Sequence, residues 1–118
     1  MSDAIHRFFQ AWGDSDPDTR AATLRETLCE DITYLDPRTP EALTSVAALI
    51  DYVAMYSAQA PGATARVAHH STTGAHHRAT VEFAMPNGMT QHGQYFIDLD
   101  NQSRLKRLIG FVGLGEPE

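Results

Sequence analysis

The spacing of apolar residues changes near Pro61-Gly62, and that change limits the folds open to the chain. Before it, Ile5, Phe8, Phe9 and Trp12 fall at i, i+3, i+4 and i+7, the stripe of an amphipathic helix. Ser2 or Asp3 can cap this helix and Gly13 can end it. A second helix begins in SDPDTRAATLRETL, with Asp16 as N-cap, Pro17 in the first helical position, and Ala21, Leu24 and Leu28 on the buried side. A third occupies TSVAALIDYVAMYSAQAPG: Thr44 or Ser45 caps it, and Val46, Leu49, Ile50, Val53 and Tyr56 keep helical spacing up to the Pro61-Gly62 stop. Between the second and third helices, Ile32 to Leu35 reads as a short strand, which Pro37 and Pro40 keep from extending.

Beyond Pro61-Gly62 the period is two. ATARVAHHST, HHRATVEFAM, MTQHGQYFIDL and RLKRLIGFVG read as four strands. In the second, Ala79, Val81, Phe83 and Met85 alternate with Arg78, Thr80, Glu82 and Ala84, as a half-buried strand requires. Pro86-Asn87-Gly88 is a hairpin signal, and Asn101-Gln102-Ser103 makes the next turn. Strands joined by short turns pair antiparallel, so three helices covering one face of an antiparallel sheet are expected, an α+β layer architecture in the order ααβαββββ.

The length of 118 residues fits one domain, 1–118, and such a domain buries about two thirds of its unfolded surface. That leaves room for a core and one small-molecule cavity. A net charge of −6, with Lys106 the only lysine, argues against nucleic acid as a partner. The one basic cluster, Arg104, Lys106 and Arg107, is split between the two faces of a strand. Cys29 is the only cysteine, so no internal disulfide can form, and it reads as a small buried residue rather than a nucleophile. MSDAIHRFFQAWGDSD lacks the apolar core of a signal peptide, and no apolar run approaches the roughly 18 residues of a membrane span. A cytoplasmic protein without membrane association is therefore expected. The sequence has no phosphate loop, nucleophile elbow or metal-ligand spacing, so no cofactor and no metal are expected.

Asp36 is the carboxylate in the most constrained place, where the strand ITYL runs into the loop DPRTP. It can open a turn by accepting backbone hydrogen bonds, or it can stand at the mouth of a pocket. Tyr95 alternates with Ile97 and Leu99 and so faces the core, where a phenol can pack or donate to a developing oxyanion. His69 and His70 are adjacent on a strand, so one faces inward; Val67 favours His69, a candidate acid or base. His76 and His77, next to the turn at Gly74, are expected to be solvated, and His92 lies on the face opposite Tyr95.

RFFQAWGDSD in the first helix, ITYLDP after the second, PGATARV opening the sheet and RLKRLIGFVG at the end give an order and spacing that resemble the nuclear transport factor 2-like superfamily. That group includes ketosteroid isomerases and polyketide cyclases of the SnoaL type. The resemblance implies a cone: a curved sheet wrapped around the helices, an apolar cavity inside, and a homodimer on the opposite sheet face. It places Asp36 where ketosteroid isomerases carry their general base, in a similar strand-Asp-Pro context. It also places Phe8 where those enzymes carry a donor tyrosine and Tyr95 where they carry a protonated aspartate. Phe8, Trp12, Tyr34 and Tyr52 are implied to line the cavity, with Tyr56, Phe83, Ile97 and Phe111.

Two functions fit. In one, an enzyme of the isomerase, cyclase or dehydratase kind binds a small apolar molecule, Asp36 moves a proton next to a carbonyl, and Tyr95, with His69, serves the product oxygen. In the other, a domain of the same fold binds a ligand or a protein without catalysis, which the phenylalanine at position 8 favours. Phe96, flanked by Gln94 and Asp98 on the outer face, suits the expected dimer surface.

Overall fold

A computed structural model describes residues 3–114, with Asp3 described by its backbone alone. The order is α1 (Asp3–Ala11), α2 (Pro17–Thr27), β1 (Leu28–Leu35), α3 (Val46–Gln59), β2 (Thr64–Thr73), β3 (His76–Ala84), β4 (Thr90–Leu99) and β5 (Leu105–Val112). The expected caps of α1, Ser2 and the Asp3 side chain, lie outside the described residues. Ser45 caps α3, its hydroxyl accepting from the Ala48 N–H at 3.1 Å. Pro17 takes the first position of α2, while the Asp16 carboxylate accepts from the Thr19 hydroxyl rather than from a helix amide. Arg20 is buried on α2 and ties it to α3, donating to the Asp14 carbonyl at 2.8 Å and to the Ser57 hydroxyl at 3.2 Å.

β1 starts at Leu28, four residues before the expected strand, because Leu28 is already extended and pairs with Leu105. Cys29 therefore sits on a strand and is half-buried, which corrects the buried position expected for it. Its thiol donates to the Asp31 carboxylate at 2.7 Å, and that bond raises the thiol pKa.

The five strands form one open sheet in the order β1-β5-β4-β3-β2. β2 through β5 pair antiparallel through their short turns. β1 pairs parallel with β5, so the sheet is mixed and not antiparallel throughout. The physical reason is connectivity: β1 leads into α3 and not into a hairpin, so no short turn dictates the direction of its partner. At the turn before β4, Gly88 has φ +92° and the Met85 N–H donates to the Met89 carbonyl at 2.8 Å.

The helices cover one sheet face. Ile5, Phe8 and Phe9 of α1, Leu24 of α2 and Leu49 and Val53 of α3 are fully buried with Ile32, Ile97, Leu105 and Leu108 of the sheet. A bulge between Val67 and His69 shifts the β2 register by one residue. His69 is consequently exposed and His70 faces inward, the reverse of the expected arrangement.

Candidate functional site

Asp36 is the first residue after β1, and Pro37 stops the chain from continuing as strand. The turn closes on its carboxylate. One oxygen, Oδ1, accepts the Arg38 N–H at 2.8 Å and the Thr39 N–H at 3.1 Å. The other, Oδ2, accepts the Tyr34 hydroxyl at 2.6 Å and the Tyr52 hydroxyl at 2.7 Å. Asp36 is thus both a turn residue and a site residue. Its four donors match the four acceptor positions of an ionised carboxylate.

The network continues inward. The Tyr34 and Tyr95 hydroxyls are 3.2 Å apart in a buried contact. Tyr34 has one hydroxyl hydrogen, and the carboxylate takes it. The hydrogen between the two phenols therefore belongs to Tyr95, and the chain runs Tyr95 to Tyr34 to Asp36. Burial pushes all four tyrosines of the protein, Tyr34, Tyr52, Tyr56 and Tyr95, above the ordinary phenol range. Asp36 adds to this at Tyr34 and Tyr52, both by its charge and by accepting their hydrogens. At neutral pH these phenols are donors.

Beside the network lies a cavity of about 300 Å³, partly open to solvent. Trp12, Asp36, Tyr52, Tyr56, Phe83 and Tyr95 line it, with Pro37 and Arg38 at the β1 end and the backbone of Gly93 and Gly110–Gly113 along the sheet. The aromatic wall is closely packed: the Trp12 ring is 5.1 Å from Tyr56, 5.8 Å from Phe83 and 6.1 Å from Tyr52, centroid to centroid. The floor depends on glycine. A Cβ on Gly110 would fall 2.7 Å from Cε2 of Tyr95, so the Tyr95 ring lies flat over that strand.

The expected site residues divide into three groups. Asp36, Tyr95, Trp12, Tyr52, Tyr56 and Phe83 meet at the cavity. Phe8, Tyr34 and Ile97 do not line it and are buried: Phe8 and Tyr34 pack on the Trp12 ring, 6.0 and 6.4 Å away, and Ile97 lies beside Leu108. The Tyr34 hydroxyl still serves the site through Asp36 and Tyr95. Phe111 borders the cavity, but its ring stands on the outer face, 5.5 Å from Phe96. His69 is outside the site altogether, exposed by the bulge. Its neighbour His70 bonds His77, Nε2 to Nδ1, at 2.9 Å, so His77 is paired where a solvated residue was expected.

His92 also borders the cavity, with its ring directed at Glu82, 3.4 Å away. Sequence reasoning missed Arg38, Gly93 and Gly110. The glycines carried a signal, since glycine inside a strand pattern marks a close approach. Arg38 carried none beyond its place after Asp36-Pro37. Among the described residues, no cluster of His, Cys, Asp or Glu has the makings of a metal site, and no helix is long and apolar enough to cross a membrane.

At the sequence level no protein-family model matches the chain, and neither does any curated protein. Solved structures do. A proposed isomerase of the SnoaL-like family from Agrobacterium tumefaciens superposes with a TM-score of 0.85 at 18% identity, over 95% of this chain and 96% of the other. A protein with a ketosteroid isomerase-like fold from Catenulispora acidiphila, in complex with trimethylamine, gives 0.76 at 12% identity, over 95% and 86%. A proposed SnoaL-like polyketide cyclase from Jannaschia gives 0.74 at 15% identity, over 92% and 82%. The open five-stranded sheet, the three helices and these superpositions agree: the chain has the fold of the nuclear transport factor 2-like superfamily.

Proposed function

We propose that the protein is an enzyme of the ketosteroid isomerase or polyketide cyclase type, acting on a small, mainly apolar carbonyl compound in the cavity. One observation carries this reading: the Asp36 carboxylate and the Tyr95 ring line one cavity and are joined through the Tyr34 hydroxyl. Asp36 is the general base. It takes a proton from the carbon next to the carbonyl, and the electron pair of the broken C–H bond moves onto the carbonyl oxygen. Returning the proton to a different carbon completes an isomerisation; attack of the enolate carbon on a second carbonyl, whose oxygen receives the C=O electron pair and takes the proton back from Asp36, completes a cyclisation.

For Asp36 to act, one of its four donors has to release it. Tyr52 is the candidate, because it reaches Oδ2 from α3, is only partly buried and itself lines the cavity. Ligand entry would turn its hydroxyl away and free one acceptor position. Tyr34 is fixed in the core and stays, holding Tyr95 in register with the base.

A second reading, a binding domain without catalysis, draws support from the same four bonds: a carboxylate with all positions filled is a stable turn as it stands. Proton exchange separates the two readings. 2-Acetylnaphthalene has an apolar body and exchangeable hydrogens next to its carbonyl. Incubation in D2O, followed by NMR, is expected to show the protein accelerating loss of those hydrogens over buffer. Tight binding with no acceleration would favour the binding domain.

We also propose that the outer sheet face forms a homodimer. Phe96 and Phe111 are each about half exposed there, and their rings touch. A monomer by light scattering at micromolar concentration would refute this.

A further inference from the structure

Two polar atoms on rings that line the cavity are left over when the network around Asp36 is complete. Trp12 Nε1 and the Tyr56 hydroxyl are buried and meet no hydrogen-bond partner among the described residues. Trp12 as a whole is 3% exposed. Buried N–H and O–H groups are rarely left unpaired, and each one that is calls for an explanation. Here the two orphans belong to neighbouring rings, 5.1 Å apart in an edge-to-face contact, and both rings line the same cavity.

The other two phenols of the cavity wall are committed. Tyr52 donates to Asp36, and Tyr95 donates to Tyr34 because the Tyr34 hydrogen goes to the carboxylate. Arg38 is an exposed donor at the cavity edge, and Tyr52 is the phenol that leaves Asp36 on ligand entry; Trp12 and Tyr56 are the buried donors that a ligand oxygen can take without breaking an existing bond. We propose that these two residues form the subsite for the ligand's carbonyl oxygen, the indole N–H and the phenol O–H together holding the carbonyl and the negative charge that grows on it.

This inference rests on the cavity being a ligand site, and it names the ligand class: a neutral carbonyl compound with an apolar body. A cationic ligand is the contrasting possibility, since aromatic faces attract ammonium groups. Two features oppose it. Both orphan groups present hydrogens, which want an acceptor. Arg38 borders the cavity, and its charge favours an anion at the Tyr56 hydroxyl and so opposes a cation there. The subsite also accounts for Phe8, where a ketosteroid isomerase carries a donor tyrosine: the phenyl ring is fully buried, and the donors come from the next turn of the chain and from α3.

Trp12 is the only tryptophan, so its indole N–H gives a single, unambiguous NMR resonance. The probes are 2-acetylnaphthalene and 2-isopropenylnaphthalene, matched in shape and differing in a C=O against a C=CH2 group. Both are expected to bind, the ketone about tenfold more tightly, which corresponds to one net hydrogen bond of about 1.4 kcal/mol. The indole proton is expected to move downfield with the ketone alone. Tyr56→Phe is expected to remove most of the ketone's advantage and to leave the hydrocarbon's affinity unchanged. Equal affinity of the two probes with an unmoved indole signal overturns the subsite and leaves the cavity as a ligand site. Failure of both to bind overturns the subsite and the cavity reading together. Tighter binding of phenyltrimethylammonium than of the ketone overturns the carbonyl assignment. The wild-type spectra decide the matter even where Tyr56→Phe does not fold.

Discussion

Strands β3, β4 and β5 run through two different interiors. Where Ile97 pairs with Leu108 and Leu99 with Leu105, the inward side chains are aliphatic, and Ile97, Leu105 and Leu108 are buried under the helices. Two steps along the same ladder, Tyr95 pairs with Gly110 and Val81 with Gly93, and the helices no longer fill the space. One half is a packed core; the other is a cavity walled by rings, all but Phe83 carrying a hydroxyl or N–H group. The backbone pairing is continuous across both. What differs is side-chain volume: glycine at 93 and 110 removes what leucine supplies at 105 and 108. A fold can thus open a site without breaking its sheet, by leaving out side chains on the inner face.

The largest expected effect lies in the packed half. Leu108→Ala should cost about 2–5 kcal/mol, measured by urea unfolding, because it empties a fully buried position. A cost below about 1 kcal/mol would mean that this half is not close-packed. Gly110→Ala comes next. Its methyl group would meet Cε2 of Tyr95 at 2.7 Å, and displacing the ring should cost about 1–3 kcal/mol and weaken binding of apolar probes. Unchanged stability and binding would show that Tyr95 moves freely and that the glycine is not needed.

Titration sharpens the contrast, because every tyrosine belongs to the hollow half and its network. Their pKa values are raised on folding from about 10, chiefly by burial. Above pH 10 the unfolded chain holds fewer protons than the native one, so stability is fully present below pH 10 and falls as pH rises further. Tyrosinate absorbance at 295 nm should appear together with unfolding, not before it. A native protein that ionises its tyrosines near pH 10 would contradict the buried network. The smallest effect on stability belongs to the outer face. Phe96→Glu should change the unfolding free energy of the single chain by within about 0.5 kcal/mol, yet convert the proposed dimer to monomer in light scattering. An unchanged mass would place the dimer contact elsewhere.

The order of elements was legible in the sequence because each carries its own period and its own stop: Gly13, Pro61-Gly62 and Pro86-Asn87-Gly88 all lie between elements. The site was legible at Asp36, where a strand meets prolines, and at the rings whose spacing turns them inward. Three things were not. The direction of β1 depends on a partner more than 70 residues away, and no local pattern encodes it. The bulge near Ala68 has no glycine to announce it, so the alternation from Val67 pointed to the wrong histidine. The hydrogen-bond order among Tyr34, Tyr95 and Asp36 follows from distances between strands, which periodicity does not supply.

The proposed role of Asp36, moving a proton in the hollow half of the molecule, is tested most directly by Asp36→Asn. The amide oxygen can still accept the Arg38 and Thr39 N–H groups, and the amide nitrogen can donate to phenols that rotate to receive it. The fold should therefore lose only about 1 kcal/mol, and 2-acetylnaphthalene should still bind. Exchange of its α-hydrogens in D2O should fall to the rate in buffer. Full exchange in a folded Asp36→Asn protein would contradict the claim and reduce Asp36 to a turn residue at the edge of a binding site.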